Sequence, residues 1–213
     1  MSLHYWHVPE VWSRRTVAIL GNGPSLNQLD VDACRGKALV IAINDALQLA
    51  PWADLHWFSE LRWWNLRRGE PWYREFRGVR ATLENADVCT EEPGIRRLRF
   101  AGTFGYCRER DGLCSGEDAG HACINLAVNM CATNIVLLGF DQRVVDGRTH
   151  WHGGYPWTRI EDCGRAVPRT AYPLLWRGIC ENGRSLPYVY NCTPGSELDD
   201  IFGPVTDLAM ALQ

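Results

Sequence analysis

A series of short apolar runs, each closed by a polar residue or a glycine, sets the pattern of this chain. Thr16–Leu20, Ala38–Ile43 and Ile135–Leu138 are continuously apolar and rich in β-branched side chains. Such runs read as strands buried on both faces, as in a parallel sheet. Leu55–Phe58 and Tyr188–Tyr190 read as further strands, and Arg80–Leu83 and Arg97–Phe100 fit the same reading. Between them, Leu61 to Arg68, Cys114 to Val128 and Ala171 to Asn182 carry helical spacing, the second behind a Ser-Gly start with Ser115 as its N-cap. Alternating strands and helices predict an α/β fold: one Rossmann-like domain over residues 1–213, core about 16–200, with a mainly parallel sheet and helices on both faces. The segment 69–113 is the least patterned, and its polar, glycine-rich stretch 102–112 reads as a mobile active-site loop.

The strand ends carry the chemistry. The first run leads into Gly21-Asn22-Gly23-Pro24-Ser25, the second into Asn44, the third into Ser59, and Ile135–Leu138 into Gly139-Phe140-Asp141. In an open parallel sheet these ends converge on one crevice. Glycines permit close backbone approach, Ser25 is placed to cap a following helix, and a helix start offers N–H groups to an anion. The loop lacks both the third glycine of a dinucleotide fingerprint and the Lys-Ser/Thr of a P-loop. It suits an anionic ligand and, equally, an ordinary strand-to-helix turn.

Composition narrows the partners. The 213 residues suffice for one core that buries roughly 70% of the unfolded surface. A net charge of -3 and a pI near 6.1 argue for a small-molecule partner rather than nucleic acid. The nine cysteines form neither a disulfide framework nor a C-x-x-C zinc pair, and are expected as buried free thiols in a reducing compartment. With no apolar run of membrane-spanning length and no secretory pattern at residues 1–7, the expectation is a cytoplasmic protein without membrane attachment; the sequence leaves oligomeric state open.

Four landmarks occur in order: Gly21-Asn22-Gly23-Pro24-Ser25-Leu26, Ile43-Asn44, Ser115-Gly116 with its helix into Leu138-Gly139-Phe140-Asp141, and Asn191-Cys192-Thr193-Pro194-Gly195-Ser196. Together they resemble the superfamily that joins Campylobacter-type bacterial sialyltransferases, archaeal 6-hydroxymethylpterin diphosphokinase-like proteins and phage-encoded relatives. That resemblance implies a nucleotide or nucleotide-sugar donor as the ligand, with Asn22, Ser25, Asn44, Ser59, Ser115 and Gly116 as contacts beside the glycines Gly21 and Gly23. The sialyltransferases hold the donor phosphate with tyrosines after their Gly-x-Asp; here the segment Gln142–Tyr155 lacks an evident tyrosine pair.

His150 and His152 flank Trp151 on a glycine-rich loop, where an extended backbone brings both imidazoles to one side. With Asp141 they are the candidate catalytic residues, as base, phosphate donor or hydrogen-bonding loop caps. A zinc site from His121, His150, His152 and Cys163 matches no ordinary spacing, so no metal ligand is assigned. Cys114 at a helix start has no paired base nearby in sequence, and Ser115-Gly116 is expected to offer backbone N–H groups to an anion. Arg62, Arg67, Arg68, Arg74, Arg77 and Arg80 interleave with Trp63, Trp64, Trp72 and Tyr73, which reads first as an amphipathic helix with buried tryptophans, and otherwise as a seat for an anionic acceptor. The leading expectation is a glycosyltransferase-like transferase. The alternatives are a Mg²⁺-dependent diphosphokinase using ATP and a pterin-like alcohol, which makes Asp141 a cation ligand, and a non-catalytic nucleotide or nucleic-acid binding module.

Overall fold

In the computed structural model, residues 4–84, 88, 91–160, 167–182 and 187–213 are described. Eight strands form one sheet: β1 (Thr16–Leu20), β2 (Leu39–Ile43), β3 (Leu55–Phe58), β4 (Val79–Leu83), β5 (Arg96–Gly102), β6 (Gly112–Cys114), β7 (Asn134–Leu138) and β8 (Tyr188–Asn191). Their order is β6-β5-β4-β3-β2-β1-β7-β8, and every pairing is parallel. The helices are α1 (Leu61–Arg67), α2 (Pro71–Glu75), α3 (Ala119–Asn129), α4 (Val167–Glu181), α5 (Asp199–Phe202) and α6 (Leu208–Ala211). The Rossmann-like α/β class read from the sequence is the one observed.

Strand periodicity explains why the central runs lack polar positions. Val17 and Ile19 of β1, Ile41 of β2 and Ile135 and Leu137 of β7 face a core shared with α3 and with Tyr172, Leu175 and Ile179 of α4. Their neighbours Ala18, Leu20, Val40, Ala42, Val136 and Leu138 point into a second core on the other face. Short 3-10 turns at Pro24–Gln28, Val31–Cys34 and Asn44–Gln48, together with α6, cover that second face, where full helices were expected. A third cluster gathers Phe58, Trp63, Trp64 and Tyr73 beneath α1 and α2, so these aromatics of the Arg/Trp segment are core.

Nearly all of α3 is buried. Its polar residues His121, Asn125 and Asn129 recur at intervals of four and therefore share one face. That face holds the segment before β6: Asn125 Oδ1 accepts from the N–H groups of Cys107 and Cys114, while the Asn125 and Asn129 amides donate to the Cys107 carbonyl. The stretch expected to be mobile is thus fastened to a core helix by a ladder of buried hydrogen bonds. Burial raises the thiol of Cys107 to about 12, and it also raises that of Cys114, so neither is an activated nucleophile. Cys89 and Cys163 lie outside the described residues.

Candidate functional site

The strand order reverses at β1, whose two sheet neighbours are β2 and β7. Connections leave the sheet in opposite directions there, which opens a crevice at the carboxyl ends of the strands. A cleft of about 520 Å³ occupies this place. Its walls are Gly21–Gly23 after β1, Asn44 after β2, the start of α1, residues 117–120 at the start of α3, Gly139, Phe140, Gln142 and Arg143 after β7, and parts of the segment 149–159. The volume falls within the ordinary range for a small-molecule or cofactor site.

The glycine loop closes upon the protein itself. Gly21 and Gly23 donate backbone N–H bonds to the carbonyls of Leu138 (2.8 Å) and Gly139 (2.9 Å). Ser25 donates its hydroxyl to Asp141 Oδ2 at 2.8 Å and its N–H to Oδ1 at 3.2 Å. Asp141 is 1% exposed, and its carboxyl is pushed above the usual range by burial, partly countered by the Ser25 bonds. The expected helix cap at Ser25 is therefore replaced: the turn that follows is a 3-10 turn begun at Gly23, and the hydroxyl joins β1's loop to β7's. A Cβ on Gly23 would stand 2.0 Å from Asp141 Oδ2, so only glycine admits this approach.

Asn22 donates from Nδ2 to the Ile43 carbonyl at 2.7 Å, and its Oδ1 and carbonyl accept from the indole and backbone N–H of Trp151. It pins the segment 149–159 to the glycine loop. Asn44, at φ +50°, has its carbonyl 3.1 Å from His56 Nε2, while its buried Oδ1 has no hydrogen-bond partner among the described residues. Ser59 Oγ accepts from the Trp57 indole.

At α3 the cap is Asp118, not Ser115. Its Oδ1 accepts from the N–H groups of Gly120 (2.7 Å) and His121 (3.2 Å) and from the Tyr172 hydroxyl (2.6 Å), and Oδ2 accepts from Gln142. Ser115 and Gly116 donate their N–H groups to Gly102 and Thr103. Asp ranks with Ser as an N-cap, and this one also reaches two partners far along the chain.

His150 lines the cleft, with Nδ1 2.8 Å from Thr149 Oγ1. Burial, helped by neighbouring His152, lowers its pKa to about 4, so it is neutral near pH 7. His152 lies beside it, ring centroids 5.2 Å apart, with Nε2 3.7 Å from Asp45 Oδ2. Its pKa is lowered by burial, which outweighs the opposing pull of Asp45. Asp45 is fully buried and bound by Arg67 (2.6 Å) and the Trp63 indole (2.9 Å). Asp45 belongs to the polar end of the second strand, Asn44-Asp45, but only Asn44 of that pair is a site candidate from the sequence. Arg62 pairs with Glu60 at 2.5 Å and lies over the ring of Trp157, which itself stacks on Tyr155.

Among the described residues no three His, Cys, Asp or Glu side chains gather to hold a metal, and Cys163 lies outside them. Of the nucleotide and catalytic candidates from the sequence, Gly21, Asn22, Gly23, Asn44 and His150 line the cleft, as do Arg62 and Trp63; Ser59, Ser115, Gly116 and His152 are not in its lining, and Ser25 and Asp141 brace its floor by bonding each other.

Fold and cleft together define a Rossmann-like α/β protein with a ligand-sized site at the topological switch point. Neither a protein-family model nor a curated protein sequence matches the chain. Among solved structures it is similar to the sialyltransferase CstII from Campylobacter jejuni in complex with the substrate analogue cytidine-5'-monophosphate. The TM-score is 0.55 and the identity 12%, over 91% of this chain and 86% of that one. A second match is the same sialyltransferase in complex with a trisaccharide acceptor and CMP: TM-score 0.54, identity 12%, covering 91% and 87%. The relationship is one of fold. Among the described residues no helix is long and apolar enough to cross a membrane.

Proposed function

We propose that this protein is a nucleotide-dependent transferase of the glycosyltransferase type, taking a nucleotide-sugar donor. The observation that carries the reading is the cleft of about 520 Å³ at the β1/β7 switch point, where Rossmann-like sheets take nucleotides. The fold it shares with a sialyltransferase crystallised with CMP supports the same reading. Asn44 Oδ1, buried and lacking a protein donor, suits an N–H or O–H group of the ligand.

In such a transfer the bond between the donor sugar and its phosphate oxygen breaks, and that oxygen keeps the electron pair. The acceptor hydroxyl oxygen bonds the sugar carbon and gives up its proton. In this reading His150 takes that proton, since it is neutral near pH 7 and lines the cleft; the tautomer that donates Nδ1–H to Thr149 leaves Nε2 as the basic atom. His152, beside Asp45, acts as its neighbour. The diphosphokinase alternative receives less support, because the strand-end carboxylate suited to a cation, Asp141, is already bonded to Ser25. The nucleic-acid alternative receives less support, because Trp63, Trp64 and Tyr73 of its stacking surface are core.

Thermal stabilisation by CMP, CDP, UDP, GDP, ATP and AMP, each with Mg²⁺ and with chelator, tests the proposal. A cytidine-selective, metal-independent shift supports it. An ATP shift that requires Mg²⁺ favours the diphosphokinase, and no shift with any nucleotide refutes both.

A further inference from the structure

Both places where a strand-to-helix fold ordinarily seats an anion are filled from within. In the glycine loop the N–H groups of Gly21, Gly23 and Ser25 are spent on Leu138, Gly139 and Asp141. At α3 those of Gly116, Gly120 and His121 are spent on Thr103 and Asp118. The carboxylates of Asp118 and Asp141 hold the positions that a ligand's phosphate would take, and like charge repels it there. With these N–H groups spent, a side-chain cation is the strongest partner the cleft can still offer a phosphate.

Arg143 is such a cation. It follows Asp141 on the exit from β7, lines the cleft, and forms no ion pair among the described residues. Arg62, by contrast, is held by Glu60 and lies over the Trp157 ring, 4.8 Å from its centroid. The Arg143 guanidinium rests against Gly195, where a Cβ would stand 2.5 Å from Nη2, and Gly195 is at φ +64°. The segment around that glycine is rigid for a separate reason: Thr193 Oγ1 accepts from Phe140 N–H, and Ser196 Oγ donates to the Phe140 carbonyl. This segment thus braces the β7 turn and offers the arginine a flat seat.

We propose that Arg143 binds the phosphate of the nucleotide donor and that Gly195 is the positioning residue that leaves room for it. The proposal rests on the nucleotide reading above. A planar guanidinium offers the phosphate two parallel, charge-assisted hydrogen bonds.

The test compares CMP with cytidine by titration calorimetry on the wild type, Arg143→Gln, Arg143→Lys, Gly195→Ala and, as an exposed control on α2, Arg74→Gln. Charge-assisted bonds predict that wild type and Arg74→Gln prefer CMP by about tenfold or more. Arg143→Gln is expected to bind the two alike with unchanged cytidine affinity, Arg143→Lys to fall between, and Gly195→Ala to lose part of the preference. Circular dichroism and urea midpoints confirm folding, which an exposed arginine leaves intact. Arg143→Gln that keeps the wild-type preference overturns the proposal while the nucleotide reading stands. Wild type that binds cytidine and CMP equally overturns it as well. Wild type that binds neither, with no shift from any nucleotide, overturns the nucleotide reading and this proposal together.

Discussion

His56 links the acidity of the medium to the stability of the fold. It is fully buried on β3 among Phe58, Trp63, Tyr73 and Phe76, and its Nε2 lies 3.1 Å from the Asn44 carbonyl. Burial lowers its pKa to about 3, with the charge of Arg80 adding in the same direction. The folded protein keeps His56 neutral, whereas the unfolded chain takes up a proton below about pH 6.5. The stability tied to this neutrality is whole above pH 6.5, declines as the pH falls towards 3, and is fully lost below that. At about 1.4 kcal/mol per unit, the loss is about 2 kcal/mol at pH 5 and about 4 kcal/mol at pH 3, with a limit of about 5 kcal/mol below that. The assay is urea unfolding of wild type and His56→Phe at pH 7.5 and pH 5. Phenylalanine fits an aromatic pocket but leaves the Asn44 carbonyl without its donor, so the variant should start about 1–3 kcal/mol less stable at pH 7.5. It should then lose about 2 kcal/mol less than wild type on going to pH 5, because the other buried histidines titrate equally in both proteins. Equal losses in the two proteins would refute the assignment.

Other substitutions probe the site. Ser25→Ala leaves the buried Asp141 short of its best hydrogen bond and should cost about 1–3 kcal/mol in urea unfolding; a neutral result would detach that pair from stability. Gly23→Ala drives a methyl into Asp141 and should abolish nucleotide-induced stabilisation, which retention of the wild-type shift would contradict. Asp118→Ala uncaps α3 and strands the Tyr172 hydroxyl, so a loss of about 2 kcal/mol and a Tm lower by about 4–8 °C are expected from calorimetry. His150→Gln should remove turnover with donor affinity kept, while His152→Gln should lower turnover and shift its pH profile; full activity in either variant would take that histidine out of the mechanism.

The sheet was legible where burial acts on both faces: β1, β2 and β7 read correctly because no polar residue interrupts them. β6 was not, since it is three residues long, includes Gly112 and sits at the sheet edge. The cap of α3 was displaced from Ser115 to Asp118, because several cap-forming residues stand in a row and only tertiary partners choose among them. Most of the cleft's glycine and asparagine lining could be found from strand ends. The role of Asp45 could not, because its partners Arg67 and His152 come from distant segments that no local spacing connects. Likewise, Asp141 had the look of a ligand residue until its buried pairing with Ser25 set it in the floor of the cleft.

The place of β1 in the sheet also governs when the protein can assemble. Its partner on one side, β2, follows almost at once, but on the other side Thr16 meets Asn134, 118 positions later. As a ribosome extends the chain at about 5–20 residues per second, one edge of β1 waits for seconds as an open row of amides beside Val17, Ile19 and Leu20. Ordering so long a loop before any contact rewards it slows folding. During that interval the half-built sheet is an adhesive edge, and the cleft comes into being only when β7 arrives to close it.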